Sequence, residues 1–327
     1  MNRLRIFADI ELPPDALELL RAGTAGHELI FPKTPATSIL AVAEPDAQFD
    51  TADVAFGQPD PRAVAGAGRL RWIHVMSAGI SRYDNPEFRA LVARRKIMVT
   101  NSSSVFDEPC AVHVLSFMLA QARKLPRALK TRAANGSSDW RALRAASSML
   151  RGETVLIVGY GAIGKRLAEL LQPFATKIIG CRRQPRGDEA VPMIAINQLT
   201  AALGGADHIV NFLPASVETF HFFNHARLAA VKPGAIFYNI GRGTTVDQDA
   251  LLADLRSAHL GAAWLDVTEP EPLPNGHPLW AQPNCFIAPH TAGGHADEFK
   301  MLVRHFLENF ELFLRGEPLR DRVMEDK

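Results

Sequence analysis

Short apolar runs rich in β-branched and aromatic residues alternate along this chain with segments whose apolar positions recur every three or four residues. Runs of strand length alternating with segments of helical period predict parallel sheets covered by helices, an α/β fold. In the first third, residues 4–8, 28–31, 54–56, 72–75 and 98–100 read as strands. Residues 15–21 read as a helix behind Pro13-Pro14. A long helix is expected over 106–125, with Val112, Leu115, Leu119 and Ala122 on one face. The six residues Ala133-Ala134-Asn135-Gly136-Ser137-Ser138 then read as a linker. A strand over 154–158 opens a second alternating series that runs to about residue 290. The segment 295–314 is amphipathic, with Phe299, Leu302, Phe306, Phe310 and Phe313 at helical spacing, and reads as a packing helix. No internal repeat or low-complexity run interrupts this order.

Composition narrows the classes. At 327 residues the chain is long enough for two domains, and 47% hydrophobic with 22% charged residues is globular. A net charge of +1 gives no reason to expect nucleic acid or an anionic membrane as partner. Cys110, Cys181 and Cys285 are widely spaced with no CxxC pair, which fits a reducing compartment and a cytoplasmic protein. Asp9, Glu11 and Pro13-Pro14 break any signal-peptide core, and the most apolar stretch, 110–122, is too short to span a bilayer.

Chemistry first shows at Gly159-Tyr160-Gly161-Ala162-Ile163-Gly164, a GxGxxG between the 154–158 strand and a helix. The first glycine permits a tight turn, the second lets backbone approach a pyrophosphate, and the third lets helix and strand pack closely. The helix N-terminus adds free N–H groups and a favourable dipole. In this strand–turn–helix context the motif predicts a dinucleotide site. The next strand, 177–180, leads into Cys181-Arg182-Arg183-Gln184-Pro185-Arg186, with no acid until Asp188. A site for NAD(H) would place an acid there for the ribose hydroxyls, whereas arginines can fork onto a 2′-phosphate. NADP(H) is therefore expected over NAD(H), with Arg182 and Arg183 as the contacts; solvated loop arginines are the competing explanation.

Three later segments are Asn239-Ile240-Gly241-Arg242-Gly243, residues 265–274 (Leu-Asp-Val-Thr-Glu-Pro-Glu-Pro-Leu-Pro), and Ala288-Pro289-His290-Thr291-Ala292-Gly293. With the glycine turn and Ser77-Ala78-Gly79 they make the chain resemble the D-2-hydroxyacid dehydrogenase family, and within it glyoxylate/hydroxypyruvate reductases. The resemblance covers nearly the whole chain and is most specific over about 150–294. It implies an oxidoreductase that passes hydride from NADPH to the C2 carbonyl of a small 2-oxo acid. Arg242 would bind the carboxylate and keto oxygen, and His290 would donate the proton. Glu269 and Glu271 compete to support His290; the family spacing of five residues after Asp266 selects Glu271. Asp266 would hydrogen-bond the nicotinamide carboxamide, though an acidic turn stiffened by proline also explains Asp266 and Glu271.

By the same resemblance Ser77, Ala78 and Gly79 would meet the substrate carboxylate through backbone N–H groups. Leu213, Pro214 and Thr219 would contact the cofactor, as would Ile240, Gly241 and Gly293, while a turn-forming role explains Pro214 equally well. The implied fold is two doubly wound Rossmann-like domains, a cofactor domain and a flavodoxin-like substrate domain, with the active site in the cleft. Residues 1–102, completed by 295–327, would form the substrate domain and 103–294 the dinucleotide-binding domain. Relatives are commonly homodimers through the long helix and the 126–150 arm. Two departures stand out: Val112 replaces the glutamate of a common Ala-Glu-His, and Ser81 replaces the aspartate of AGxD. His221 and His225 lack the HExxH glutamate, so no metal site is expected. The roles of His113, Trp140 and Trp280 stay open at this stage. A dehydrogenase oxidising another 2-hydroxy acid is one alternative, and an NAD(P)-sensing, corepressor-like protein on the same scaffold is another.

Overall fold

The computed structural model describes residues 3–38, 41 and 44–324. In chain order the strands are β1 (Arg5–Ala8), β2 (Glu28–Ile30), β3 (Val54–Gly57), β4 (Trp72–Val75), β5 (Met98–Thr100), β6 (Thr154–Val158), β7 (Lys177–Arg182), β8 (Met193–Ala195), β9 (His208–Asn211), β10 (Ile236–Asn239), β11 (Ala262–Leu265), β12 (Cys285–Ile287) and β13 (Arg322–Val323). One compact unit runs to Phe106 and resumes at His295; the other is Asp107–Gly294.

The sheet of the first unit has the order β13-β5-β4-β3-β1-β2 among the described residues. β1 to β5 pair in parallel, and β13 lies antiparallel to β5. β3 and β4 are buried at every position, as strands covered on both faces must be. Side-chain alternation splits β4 between the two faces. Ile73 and Val75 join Phe88 and Val92, while Trp72 stacks on Phe306, ring centroids 5.2 Å apart. Phe306 belongs to the helix Glu298–Arg315, whose buried face of Leu302, Val303, Phe306 and Phe310 follows the apolar spacing of the sequence.

The second unit carries an all-parallel sheet of order β12-β11-β10-β9-β6-β7-β8. Leu156, Ile209, Phe237 and Leu265 from successive strands meet Leu199, Leu228 and Leu251 in its core. Chain order reverses at β6, which pairs with β7 on one side and β9 on the other. Ligands of such sheets bind beyond the strand carboxyl ends at this reversal, and the glycine turn directly follows β6. Both units are thus doubly wound α/β. Among the described residues no helix is long and apolar enough to cross a membrane.

Helix boundaries moved where the controlling contacts are remote. The long helix is Ser103–Ala122 rather than 106–125. Its first turn is satisfied by Asp321, whose carboxylate accepts the Ser104 N–H at 2.9 Å, a partner no local pattern shows. It ends early because Lys124 turns left-handed, φ 52°, and a separate helix, Leu125–Lys130, begins with proline in its first turn. Within the expected linker, Ser137 caps a helix over Ser138–Ala146, its Oγ accepting the Trp140 N–H at 3.3 Å.

The first sheet reverses between β1 and β3, and a buried acid sits there. Asp9 follows β1, 1% exposed, and its Oδ1 accepts the Gln58 N–H at 2.7 Å. Oδ2 has no hydrogen-bond partner among the described residues. Gly57 leaves room for this carboxylate, since a Cβ there would fall 1.7 Å from Oδ1. Burial raises the Asp9 pKa from 3.8 to about 7, against the opposing pull of the Gln58 amide. Between those values the folded chain holds a proton that the unfolded chain has lost. The contribution of protonated Asp9 is therefore full below about 3.8 and fades as pH rises through about 7. The shift corresponds to on the order of 4 kcal/mol across that window. Asp9→Asn should flatten the fall in melting temperature between pH 5 and 8. Parallel slopes for the two proteins would place Asp9 in a solvated setting.

Candidate active site

The glycine turn has the shape its residues require. Gly159 stands at φ 93°, and a Cβ on it would lie 2.9 Å from the Phe212 carbonyl carbon. The N–H groups of Gly159 and Tyr160 both donate to the Cys181 carbonyl, at 3.0 and 3.1 Å, drawing the turn against the end of β7. Gly164 approaches β6 so closely that a Cβ would lie 3.0 Å from Ile157 Cγ2. Around Gly161, by contrast, a Cβ would meet nothing within 4 Å. The helix Ala162–Leu171 starts there with no side-chain cap, beside a cavity of about 390 Å³ lined by Tyr160, Gly161, Ala162, Lys165, Arg182 and Glu189. Open N–H groups, an open glycine and nearby cations fit a dinucleotide phosphate.

Two arginines at the end of β7 are paired with acids. Arg182 Nη1 lies 3.2 Å from Glu189 Oε1, and Arg183 pairs with Glu218. Both partners are recruited from later in the chain.

The loops after β6, β9 and β10 pack backbone on backbone. Ile240 donates its N–H to the Asn211 carbonyl at 3.1 Å, and a Cβ on Gly241 would fall 2.6 Å from the Leu213 carbonyl oxygen. Asn211 and Asn239 are cross-strand partners at the ends of β9 and β10. Asn211 Nδ2 donates to Asn239 Oδ1 at 2.9 Å and to Thr245 Oγ1 at 2.7 Å. Thr245 passes its own hydrogen to the Arg242 carbonyl, 2.6 Å, which Asn239 Nδ2 reaches as well, 3.2 Å. Arg242 thus stands on a saturated, buried amide network. Its guanidinium donates to the Gly241 carbonyl at 2.7 Å, and burial lowers its pKa while the charge of Glu271 opposes that shift. Gly243 must lack a side chain, because a Cβ would lie 1.9 Å from the Thr268 carbonyl oxygen.

Asp266 follows β11 with 2% of its surface exposed. Its carboxylate accepts the N–H groups of Thr291, 2.8 Å, and Ala292, 3.0 Å, and its carbonyl accepts that of His290, 2.9 Å. This grip holds His290 at φ 52°, a conformation non-glycine residues adopt at a cost. Gly293 continues the turn, and the Gly294 N–H closes it on the Thr291 carbonyl at 3.0 Å. His290 Nδ1 lies 2.5 Å from Glu271 Oε1. Glu269 is held through its backbone: its N–H donates to Gln248 Oε1 at 3.0 Å, and its carbonyl accepts from the same side-chain amide. Of the two competing acids, Glu271 is the one on the histidine.

Two of the expected cofactor contacts also have partners within the protein. Both Asp266 oxygens already hold the histidine turn, and His113 Nε2 lies 3.7 Å from Oδ1. Asp266 therefore clamps that turn, and each of its oxygens keeps a second lone pair for a donor such as a carboxamide N–H. The Thr219 hydroxyl donates to the Pro214 carbonyl at 2.6 Å and accepts the Ser216 N–H at 2.8 Å, so it is used inside its own loop. Trp280, 49% exposed, donates to the Pro274 carbonyl at 3.1 Å, and Trp140 is overlain by Arg144.

In the first unit, the Ser77–Gly79 loop is pinned through its carbonyls. Those of Ser77, Ala78 and Gly79 accept from the Ser102 N–H (3.2 Å), Asn101 Nδ2 (2.7 Å) and the Ser77 hydroxyl (2.7 Å). Among the described residues nothing accepts the Ala78 and Gly79 N–H groups. Asn101, Asn239, Thr245, Lys165 and Glu189 all act at these sites and were not singled out from sequence. Only the paired asparagines at strand ends offered a signal, and it needs the strand register to be read.

With this geometry in place, comparison with known proteins is direct. Residues 115–292 match the model of the D-isomer specific 2-hydroxyacid dehydrogenase, NAD binding domain. The chain belongs to the D-isomer specific 2-hydroxyacid dehydrogenase family. It is 34% identical to human glyoxylate reductase/hydroxypyruvate reductase over 263 residues, 80% of this chain and 79% of that one. Glyoxylate reductase of Aeropyrum pernix is 32% identical over 330 residues, 97% of this chain and 94% of its own. Among solved structures, a D-isomer specific 2-hydroxyacid dehydrogenase from Xanthobacter autotrophicus Py2 in complex with NADPH and MES superposes with a TM-score of 0.76 at 28% identity, covering 99% of this chain and 98% of that one.

Thr245→Val tests the amide network. It keeps the shape but leaves one Asn211 amide hydrogen without an acceptor and the Arg242 carbonyl with Asn239 alone, and should cost about 1–3 kcal/mol in denaturant unfolding. Unchanged stability would mean that the hydroxyl bridges nothing of consequence.

Proposed function

We propose that this protein is an NADPH-dependent reductase of small 2-oxo acids, of the glyoxylate and hydroxypyruvate type, yielding the D-2-hydroxy acid. The observation that carries this reading is the 2.5 Å contact of His290 with Glu271 beside Arg242, half-buried and held by the Gly241 carbonyl. When bound, the reduced nicotinamide supplies a hydride to the carbonyl carbon. Arg242, a fixed guanidinium, binds the substrate carboxylate and draws charge toward the keto oxygen. Nδ1 of His290, bonded to the carboxylate of Glu271, leaves Nε2 to hand a proton to that oxygen. Glu271 stabilises the imidazolium before transfer and fixes the ring orientation afterwards.

The Ala78 and Gly79 N–H groups form a second anion-binding element on their own loop, and the first unit is read as the substrate domain. The glycine turn, Leu213, Pro214, Ile240 and Gly241 are read as backbone contacts of the dinucleotide. The arginine corner and relatives described with NADPH support NADP(H) over NAD(H). Relatives named glyoxylate reductase support the substrate class. Free thiols at buried Cys181 and half-buried Cys285, with pKa values pushed by burial to about 11 and 12, suit a reducing cytoplasm.

Oxidation of NADPH and NADH is to be followed against glyoxylate, hydroxypyruvate, pyruvate and bulkier 2-oxo acids. Activity with NADPH and a small acid is expected. His290→Asn should lower kcat by about 10²-fold or more with dinucleotide binding retained. Arg242→Ala should lower kcat and raise KM together. Binding of the dinucleotide without turnover of any acid would overturn the reading in favour of a sensor, and wild-type rates in both variants would overturn the roles given to His290 and Arg242.

The assembly proposed is a homodimer through the long helix and the arm after it. Leu129 and Met149 on that arm are 84% and 68% exposed, a cost a second copy would remove. Light scattering should return twice the 35.8 kDa chain mass, and Leu129→Glu should lower it toward one chain. A monodisperse monomer at micromolar concentration would exclude this interface.

A further inference from the structure

The corner beyond β7 holds an anion site that the chain itself fills. Glu189 folds back so that Oε1 accepts the Arg186 N–H at 2.8 Å and Arg182 Nη1 at 3.2 Å. Oε2 accepts the Gly187 N–H, also at 2.8 Å. Successive backbone amides converging on one anion, next to a guanidinium, form the kind of concavity that binds phosphate. Gly187 at φ 88° makes that convergence possible without strain. The Glu189 side chain is only 6% exposed there. The Arg186 amide and its companions hold its acidity down to about 2, so it is charged at every physiological pH.

Position gives this internal anion its meaning. Cys181 pairs with Val158, the residue before Gly159, so Arg182 stands beside the glycine turn at the strand end. That strand end is where dinucleotide-binding sheets carry the group that reads the adenosine ribose. Arg182, Arg186 and Glu189 line the same cavity as Gly161, Ala162 and Lys165. With its carboxylate in place, the corner presents an acid to an entering 2′-phosphate. With the carboxylate swung out, it presents a guanidinium, two amides and the Lys165 ammonium.

We propose that Glu189 is an intramolecular latch on the 2′-phosphate site: its carboxylate occupies the Arg182–Arg186–Gly187 donors in the free protein and is displaced by the 2′-phosphate of the dinucleotide. The inference rests on the dinucleotide reading above and adds to it the residue that sets discrimination between phosphorylated and unphosphorylated ribose. Displacing one anion by another costs the internal bonds, so the latch lowers affinity for the 2′-phosphate without touching the pyrophosphate. It is a specificity-determining residue and takes no part in the proton or hydride transfer.

Calorimetric titration with 2′,5′-ADP and 5′-ADP separates the possibilities without any turnover. Glu189→Gln keeps an acceptor for the loop amides but removes the charge. It should tighten 2′,5′-ADP about tenfold relative to wild type and leave 5′-ADP within about twofold. Glu189→Asp, which keeps the charge but withdraws it by one methylene, should fall between the two and guards against a Gln variant that fails to fold. Arg182→Gln should abolish the preference for 2′,5′-ADP. An unchanged ratio in both Glu189 variants, with Arg182→Gln still losing the preference, would overturn the latch and leave the NADP(H) reading standing. A weaker 5′-ADP in Glu189→Gln would show that the carboxylate accepts the ribose hydroxyls, and a weaker 2′,5′-ADP that it orients Arg182; either overturns the latch. Failure of the folded wild type to bind either nucleotide would overturn latch and dinucleotide reading together.

Discussion

Asp266, through its carboxylate and its own backbone carbonyl, faces three consecutive amides and fixes the part of this molecule on which the proposed proton transfer depends. His290 sits in a left-handed conformation that costs about 1 kcal/mol or more for a side chain with a Cβ. Left to itself, the turn would relax and the imidazole would swing away from Glu271. Three hydrogen bonds from one buried residue to the amides of 290, 291 and 292 outweigh that cost, two of them charge-assisted. Asp266 is itself held, since it continues β11, a central strand of a parallel sheet buried on both faces. His113, half-buried at 3.7 Å, adds a cation only when protonated, and burial works against that. Rigidity therefore runs from sheet to aspartate to histidine turn.

The same logic places Arg242. A parallel sheet sends all its carboxyl ends to one edge, where consecutive loops must pass over one another without side chains in the way. Glycine at 159, 241 and 243 meets that demand, most severely at Gly243 against Thr268. The polar groups freed at the strand ends then need partners. Asn211, Asn239 and Thr245 supply them in a closed set, so the burial of amides stabilises rather than costs. Specificity of position at this edge comes from saturation of hydrogen bonds, and removal of any one member leaves the others wanting.

How much of this was legible in the chain divides along the range of the interactions. Strands such as Thr154–Val158, Trp72–Val75 and Met98–Thr100 stand where their apolar runs placed them, because burial on both faces demands continuous hydrophobicity. The glycine turn was legible because its constraints lie within six residues. The order of the Arg242, Glu271 and His290 segments was legible by resemblance, while the choice of Glu271 over Glu269 rests physically on which carboxylate the loop turns inward. What stayed hidden was set by distant partners. Asp321 extends the long helix backwards, and Glu218 reaches Arg183 across 35 residues. Neither leaves a periodic trace.

The arginine corner shows why charge counted along a sequence misleads about a site. Arg182, Arg183 and Arg186 within five positions suggest a patch of three positive charges. Glu189 and Glu218 return two negative ones to the same place, so the corner as folded is far less cationic. An opposing charge already in contact does not erase a binding site; it converts the affinity for a ligand into a difference between two anions. A phosphate carries more charge and more acceptor oxygens than a carboxylate, so the exchange can favour it, whereas an unphosphorylated ribose offers nothing to displace the acid. Selectivity at such a corner follows from the competition, and the internal acid tempers it by setting the level the ligand must exceed.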